Sequence, residues 1–83
     1  MVIIYTTQNC PYCVKAKKLL EKKGVKYEEF RVDLNPELIT EVIEKSGGLR
    51  TVPQIFIGDH HVGGCDELYA LEEQNRLDSL LKE

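Results

Sequence analysis

The chain has 83 residues, a net charge of −3 and three cysteines, which makes one domain, residues 1–83, with a thin stability margin. An odd cysteine count with two cysteines three apart excludes a secreted disulfide framework and suits a redox motif. The acidic balance, with no basic-aromatic stripe, argues against nucleic-acid binding, and Met1–Thr7 has no basic leader and too short an apolar run for a signal peptide or membrane span, so no membrane partner and a reducing cytoplasm are expected.

Val2 to Thr6 is β-branched and aromatic and reads as a strand covered on both faces. Thr7 to Asn9 is polar loop. Pro11 sits where a helix tolerates proline best, in its first turn, and Val14, Ala16, Leu19 and Leu20 give an imperfect helical stripe through Lys23 before Gly24 stops it. Five lysines, Lys15, Lys17, Lys18, Lys22 and Lys23, crowd this segment. They make either a solvated helix face or a positive field beside Cys10.

Val25 to Val32 reads as a second strand. Asn35 caps a second helix with Pro36 in its first position, and Leu38, Ile39, Val42 and Ile43 share one face before Ser46-Gly47-Gly48 ends it. Gln54 to Ile57 is a third strand, Gly58-Asp59 a turn, and His60 to Gly63 the return strand of a hairpin. Gly64-Cys65-Asp66 leads into a last helix, with a short further turn at Leu77 to Leu81. The order βαβ-α-ββ-α predicts an α/β fold. Its first two strands are parallel, the hairpin adds an antiparallel half, and helices flank both faces of one four-stranded mixed sheet.

Cys10-Pro11-Tyr12-Cys13 lies between the first strand and the first helix, the context in which a C-x-x-C is informative. At the N-cap, the Cys10 sulfur can accept from the second and third helical amides, those of Tyr12 and Cys13, at the positive end of the helix dipole. Such settings bring a cysteine pKa down from about 8.5 into a range of roughly 3.5–7.5, and the thiolate is the reactive species. Cys13, one turn in, has less access to solvent. Cys10 is therefore the expected nucleophile and Cys13 the resolving thiol. A zinc site would need further ligands from Cys65, His60 and His61. Adjacent strand residues face opposite ways, so the two histidines cannot serve one metal, and no metal ligands are assigned.

These residues, with Ile4-Tyr5-Thr6, Thr51-Val52-Pro53-Gln54-Ile55-Phe56-Ile57 and Gly63-Gly64-Cys65-Asp66-Glu67-Leu68, resemble the dithiol glutaredoxins over nearly the whole chain. The resemblance implies a thioredoxin-like fold and a monomer. It implies a glutathione-dependent oxidoreductase acting on glutathionylated and disulfide-containing proteins, with glutathione as co-substrate and no tightly bound cofactor. It implies a cis peptide bond before Pro53, a grip on the glutathione cysteine by Thr51, Val52 and Pro53 with Tyr12 nearby, and a hold on the γ-glutamyl end by Gly64, Cys65 and Asp66. Asp66 has a second reading as a plain helix cap, and Cys65 reads as a small packing group whose backbone does the binding, with regulatory oxidation as the alternative. The resemblance departs at Thr7, where many members carry lysine, and leaves Arg50 or Tyr12 to face the glycine end. Two alternatives stand beside it: an electron donor reduced by a flavin reductase, and an iron–sulfur cluster carrier.

Overall fold

A computed structural model describes residues 1–82. The elements are β1 (Val2–Thr6), α1 (Pro11–Lys22), β2 (Tyr27–Arg31), α2 (Pro36–Lys45), β3 (Gln54–Ile57), β4 (His60–Gly63), α3 (Cys65–Glu73) and α4 (Leu77–Leu81). The sheet order is β2-β1-β3-β4, with β1 parallel to β2 and the other neighbours antiparallel. This is the mixed four-stranded sheet that the element order predicts.

The alternation of side chains along each strand divides the core in two. Val2 and Ile4 of β1, Ile55 and Ile57 of β3 and Val62 of β4 meet Ala16, Leu19 and Leu20 of α1, Leu68 of α3 and Leu77 of α4. Tyr5, Phe56 and Val32 meet Val42 of α2 on the opposite face. Ile4, Leu20, Ile55, Leu68 and Leu77 are fully buried, and each side chain stabilises the fold by about 1.5–3 kcal/mol relative to exposure.

Three sequence expectations need correction. β2 is shorter than Val25–Val32: Val25 packs on the first core cluster instead of pairing, and only the Val32 amide, bonded to the Thr6 carbonyl at 2.9 Å, extends the ladder past Arg31. Val14 is exposed, and Cys13 takes its place on the inner stripe of α1, because positions 13, 16 and 20 follow the helical period and position 14 is turned away by about 100°. Ile39 is likewise exposed, since α2 buries only Val42 fully and leaves Leu38 and Ile43 half-buried. The helix caps match the sequence. The Asn35 side chain accepts from the Glu37 amide at 3.1 Å, and Gly24, at φ +73°, takes the left-handed conformation that ends α1.

The strand registers place the chemistry. Tyr5 pairs with Gln54 and Ile55 with Gly63. The loop after β1, the segment before β3 and the segment after β4 therefore leave the sheet at one end. Cys10, Thr51–Pro53 and Gly64–Asp66 all lie on those three segments.

Candidate active site

Cys10 is the N-cap of α1, in extended backbone at φ −115°, and is joined to Cys13 as a disulfide across a Cα–Cα distance of 5.2 Å. Of the two amides expected at the Cys10 sulfur, that of Cys13 makes the hydrogen bond, at 3.1 Å. The two sulfurs differ in access: Cys13 is 1% exposed, whereas Cys10 is half-buried. A nucleophile approaching this disulfide therefore finds Cys10 open and Cys13 shielded by its own helix.

A cleft of about 330 Å³ lies beside the cysteine pair and is lined by Tyr12, Thr51, Val52, Pro53, Gly64, Cys65 and Asp66. Every one of the residues that the sequence assigned to substrate binding lines it. The Val52–Pro53 peptide bond is cis. Leu49, Gln54 and Glu67 also line the cleft and were not assigned from sequence. For Glu67 there was a signal, an acid three residues after the position that opens a helix. Leu49, rather than Arg50, completes the wall.

The start of α3 corrects the cap reading of Asp66. Gly64 is the N-cap, and the Glu67 carboxylate reaches back to accept from the Gly64 amide at 2.7 Å. Asp66 lies inside the first turn, exposed at the cleft, and is not the cap. Cys65 is buried at 5% exposure; burial first, with the Asp66 and Glu67 charges, pushes its thiol pKa up against the pull of Lys15. That is a poorly nucleophilic thiol at neutral pH.

On the other side of Cys10 a second groove is lined by Thr7, Gln8, Asn9, Val14, Lys17, Glu29 and Arg31. Its charges are paired. Lys17 meets Glu29 at 2.9 Å, and the buried Thr6 hydroxyl donates to the same carboxylate at 2.7 Å. The Thr6 bond first, and Lys17 next, hold the Glu29 carboxyl below its ordinary value. Arg31 grips Asp33 through two bonds, at 2.8 and 2.6 Å, and Asp33 accepts from the Gln8 amide at 3.2 Å, which ties down the loop before Cys10. Of the five lysines that could have formed a positive field, Lys17 lines this groove and is paired, Lys15 lies over the Tyr69 ring, and Lys23 meets Glu72 and Asp78.

Residues 2–62 match the glutaredoxin family model. The chain belongs to the glutaredoxin family. Glutaredoxin 1 of Rickettsia prowazekii is 58% identical over 98% of this chain and 86% of its own length. The solution structure of glutaredoxin from Brucella melitensis, 58% identical, superposes with a TM-score of 0.84 over 98% of this chain and 87% of that one. The crystal structure of a buckwheat glutaredoxin–glutathione complex superposes with a TM-score of 0.88 at 28% identity, over 98% of this chain and 76% of that one. The fold is thioredoxin-like, as the resemblance implied, and Cys10–Cys13 is the family's dithiol pair in this chain.

Proposed function

We propose that this glutaredoxin uses Cys10 as nucleophile and Cys13 as resolving thiol, and holds glutathione in the cleft between Tyr12, Thr51–Pro53 and Gly64–Asp66. The observation that carries the assignment is the difference in access between a half-buried Cys10 and a Cys13 that is 1% exposed. The chain is a glutathione-dependent dithiol oxidoreductase.

In the reduced protein the Cys10 thiolate attacks the glutathione sulfur of a mixed disulfide. The glutathionyl group moves to Cys10 and the target protein leaves as its thiolate. A second glutathione thiolate then attacks the bound glutathionyl sulfur, so that glutathione disulfide departs and the Cys10 thiolate is restored. With a substrate disulfide, the Cys10 thiolate attacks one of its sulfurs, the substrate's S–S bond breaks to release one thiolate, and Cys10 is left in a mixed disulfide with the protein. Cys13, after losing its proton, attacks the Cys10 sulfur; the mixed disulfide breaks, the substrate leaves as its second thiolate, and the Cys10–Cys13 bond forms. Two glutathione molecules reduce that bond by the same exchange steps, run from the Cys10 side.

The α3 amides at Cys65 and Asp66 suit the α-carboxylate of the γ-glutamyl end, and the exposed Asp66 carboxylate suits its ammonium. Complex formation with glutathione by the buckwheat relative supports the choice of ligand. Reducing surroundings such as the cytoplasm fit this chemistry. Among the described residues, no helix is long and apolar enough to cross a membrane. The test is a coupled assay in which glutathione and glutathione reductase recycle the protein on a glutathionylated peptide. Steady NADPH consumption is expected. Turnover that needs a flavin reductase in place of glutathione would overturn the glutathione reading.

A further inference from the structure

From the α2 side of the sheet to the cleft wall, where Gln54 itself lies, a run of polar contacts ends at Thr51. The bulge between Ile55 and Phe56 sets His61 of β4 opposite Phe56, and alternation puts Gln54 on the same face of the sheet. The His61 ring stacks on Phe56, with centroids 4.8 Å apart and planes 23° apart. Its Nε2 lies 2.8 Å from Gln54 Oε1. Gln54, only 2% exposed, sends its Nε2 to the Thr51 carbonyl at 3.0 Å and the Thr51 hydroxyl at 3.1 Å.

The donor roles in this run are fixed by chemistry. A carbonyl oxygen only accepts, so the NH2 of Gln54 must face Thr51 and its Oε1 must face His61. Oε1 also only accepts, so His61 carries a proton on Nε2. A buried amide that lost this donor would keep an unpaired acceptor, at a cost comparable to a lost hydrogen bond. Among the described residues, no buried side-chain nitrogen or oxygen lacks a partner.

We propose that His61 and Gln54 are positioning residues. His61, seated on Phe56, fixes the Gln54 amide, and Gln54 holds Thr51 at the rim of the cleft, where the substrate's glutathionyl cysteine is gripped. The proposal rests on the reading of Thr51–Pro53 as that grip. Neither side chain touches the sulfurs. Their loss therefore loosens the hold on the ground state and the transition state alike, which raises KM and leaves kcat in place.

The test compares wild type, His61→Phe and His61→Gln on a glutathionylated peptide with glutathione and glutathione reductase. His61→Phe keeps a ring on Phe56 and removes the donor; KM should rise about fivefold, the worth of one hydrogen bond, with kcat held. His61→Gln returns an N–H donor and should bring KM most of the way back. Wild-type protein labelled with nitrogen-15 gives a second readout that needs no variant to fold: neutral His61 should appear as the Nε2–H tautomer. A neutral His61 protonated on Nδ1 would overturn the relay. So would an unchanged KM in His61→Phe, or a loss confined to kcat and melting temperature. A wild type that glutathione cannot recycle would be a failure of the activity reading instead, and the tautomer would still report on the contact itself.

Discussion

Truncating Glu67 to alanine removes the side-chain acceptor that meets the Gly64 amide at the start of α3. The carboxylate accepts from the Gly64 amide at 2.7 Å, and Gly64 as N-cap has no side chain of its own to do so. A charge-assisted bond of this length is stronger than a neutral one, but the residue is exposed, so the typical capping value of about 1 kcal/mol applies. In a domain of this size that lowers Tm by roughly 4–8 °C. The same end of α3 forms one wall of the cleft, so KM for a glutathionylated peptide should rise alongside. Thermal unfolding by circular dichroism, with the Cys10–Cys13 bond kept oxidised throughout, measures the first effect. Glu67→Gln retains an acceptor oxygen at the same reach and should recover most of the loss. Gly63→Ala attacks the same contact from the other side. At φ +113° a new Cβ would lie 2.9 Å from Glu67 Oε1, in a backbone conformation that side chains rarely adopt, for a cost of about 1–3 kcal/mol. If Glu67→Ala melts with wild type, the Gly64 bond does not hold the helix start, and the reasoning about this wall is wrong.

Asp66→Ala should raise KM for glutathione-dependent turnover more than it lowers kcat, because Asp66 sits at the cleft as a free carboxylate and not as the cap; an unchanged KM would remove it from the binding site. The Arg31 guanidinium holds the Asp33 carboxyl down to about 2. A depressed folded value means that the stability it contributes is present above the unfolded carboxylate range, near about 4. That contribution is lost as pH falls toward about 2. The urea midpoint of wild type should therefore exceed that of Asp33→Asn at pH 5 and converge with it near pH 2, and curves that stay parallel throughout would contradict the pairing. Cys65, buried with a raised thiol pKa, should alkylate with iodoacetamide far more slowly than a free cysteine while Cys10 and Cys13 are joined, with the rate climbing as pH rises; rapid labelling at neutral pH would show that the thiol is open.

The strand and helix order was legible because each element carries its own local signal: β-branched runs in β1 and β3, Pro11 and Pro36 at helix starts, Gly24 and Gly47-Gly48 at helix ends. Where the structure departs from these local signals, tertiary packing decides. Val14 and Ile39 are apolar residues at helix positions whose exposure depends on which face meets the sheet, and the aromatic side of the sheet accepts only Val42 of α2 fully. Val25 looks like strand but spends its side chain on the first core cluster. Of the residues lining the cleft, Tyr12, Thr51–Pro53 and Gly64–Asp66 are legible from the family motifs, since the segments carrying them are contiguous in sequence, whereas Leu49 and Glu67 are not. Neither are Gln54 and His61. In the sequence Gln54 is only the start of a strand and His61 one of two adjacent histidines in a hairpin. Only the cross-strand register, with its bulge, brings one to the other.

The division of labour between Cys10 and Cys13 is tested most directly by Cys10→Ser and Cys13→Ser, each assayed on a glutathionylated peptide and on a protein disulfide at matched glutathione. Removing a glutathionyl group needs one nucleophile, because free glutathione can attack the Cys10 intermediate. Reducing a protein disulfide by the dithiol route needs Cys13 to displace the substrate from Cys10. Cys10→Ser should abolish both activities. Cys13→Ser should keep deglutathionylation and lose most disulfide reduction. Deglutathionylation that survives in Cys10→Ser and vanishes in Cys13→Ser would reverse the roles that the half-buried Cys10 and the buried Cys13 support.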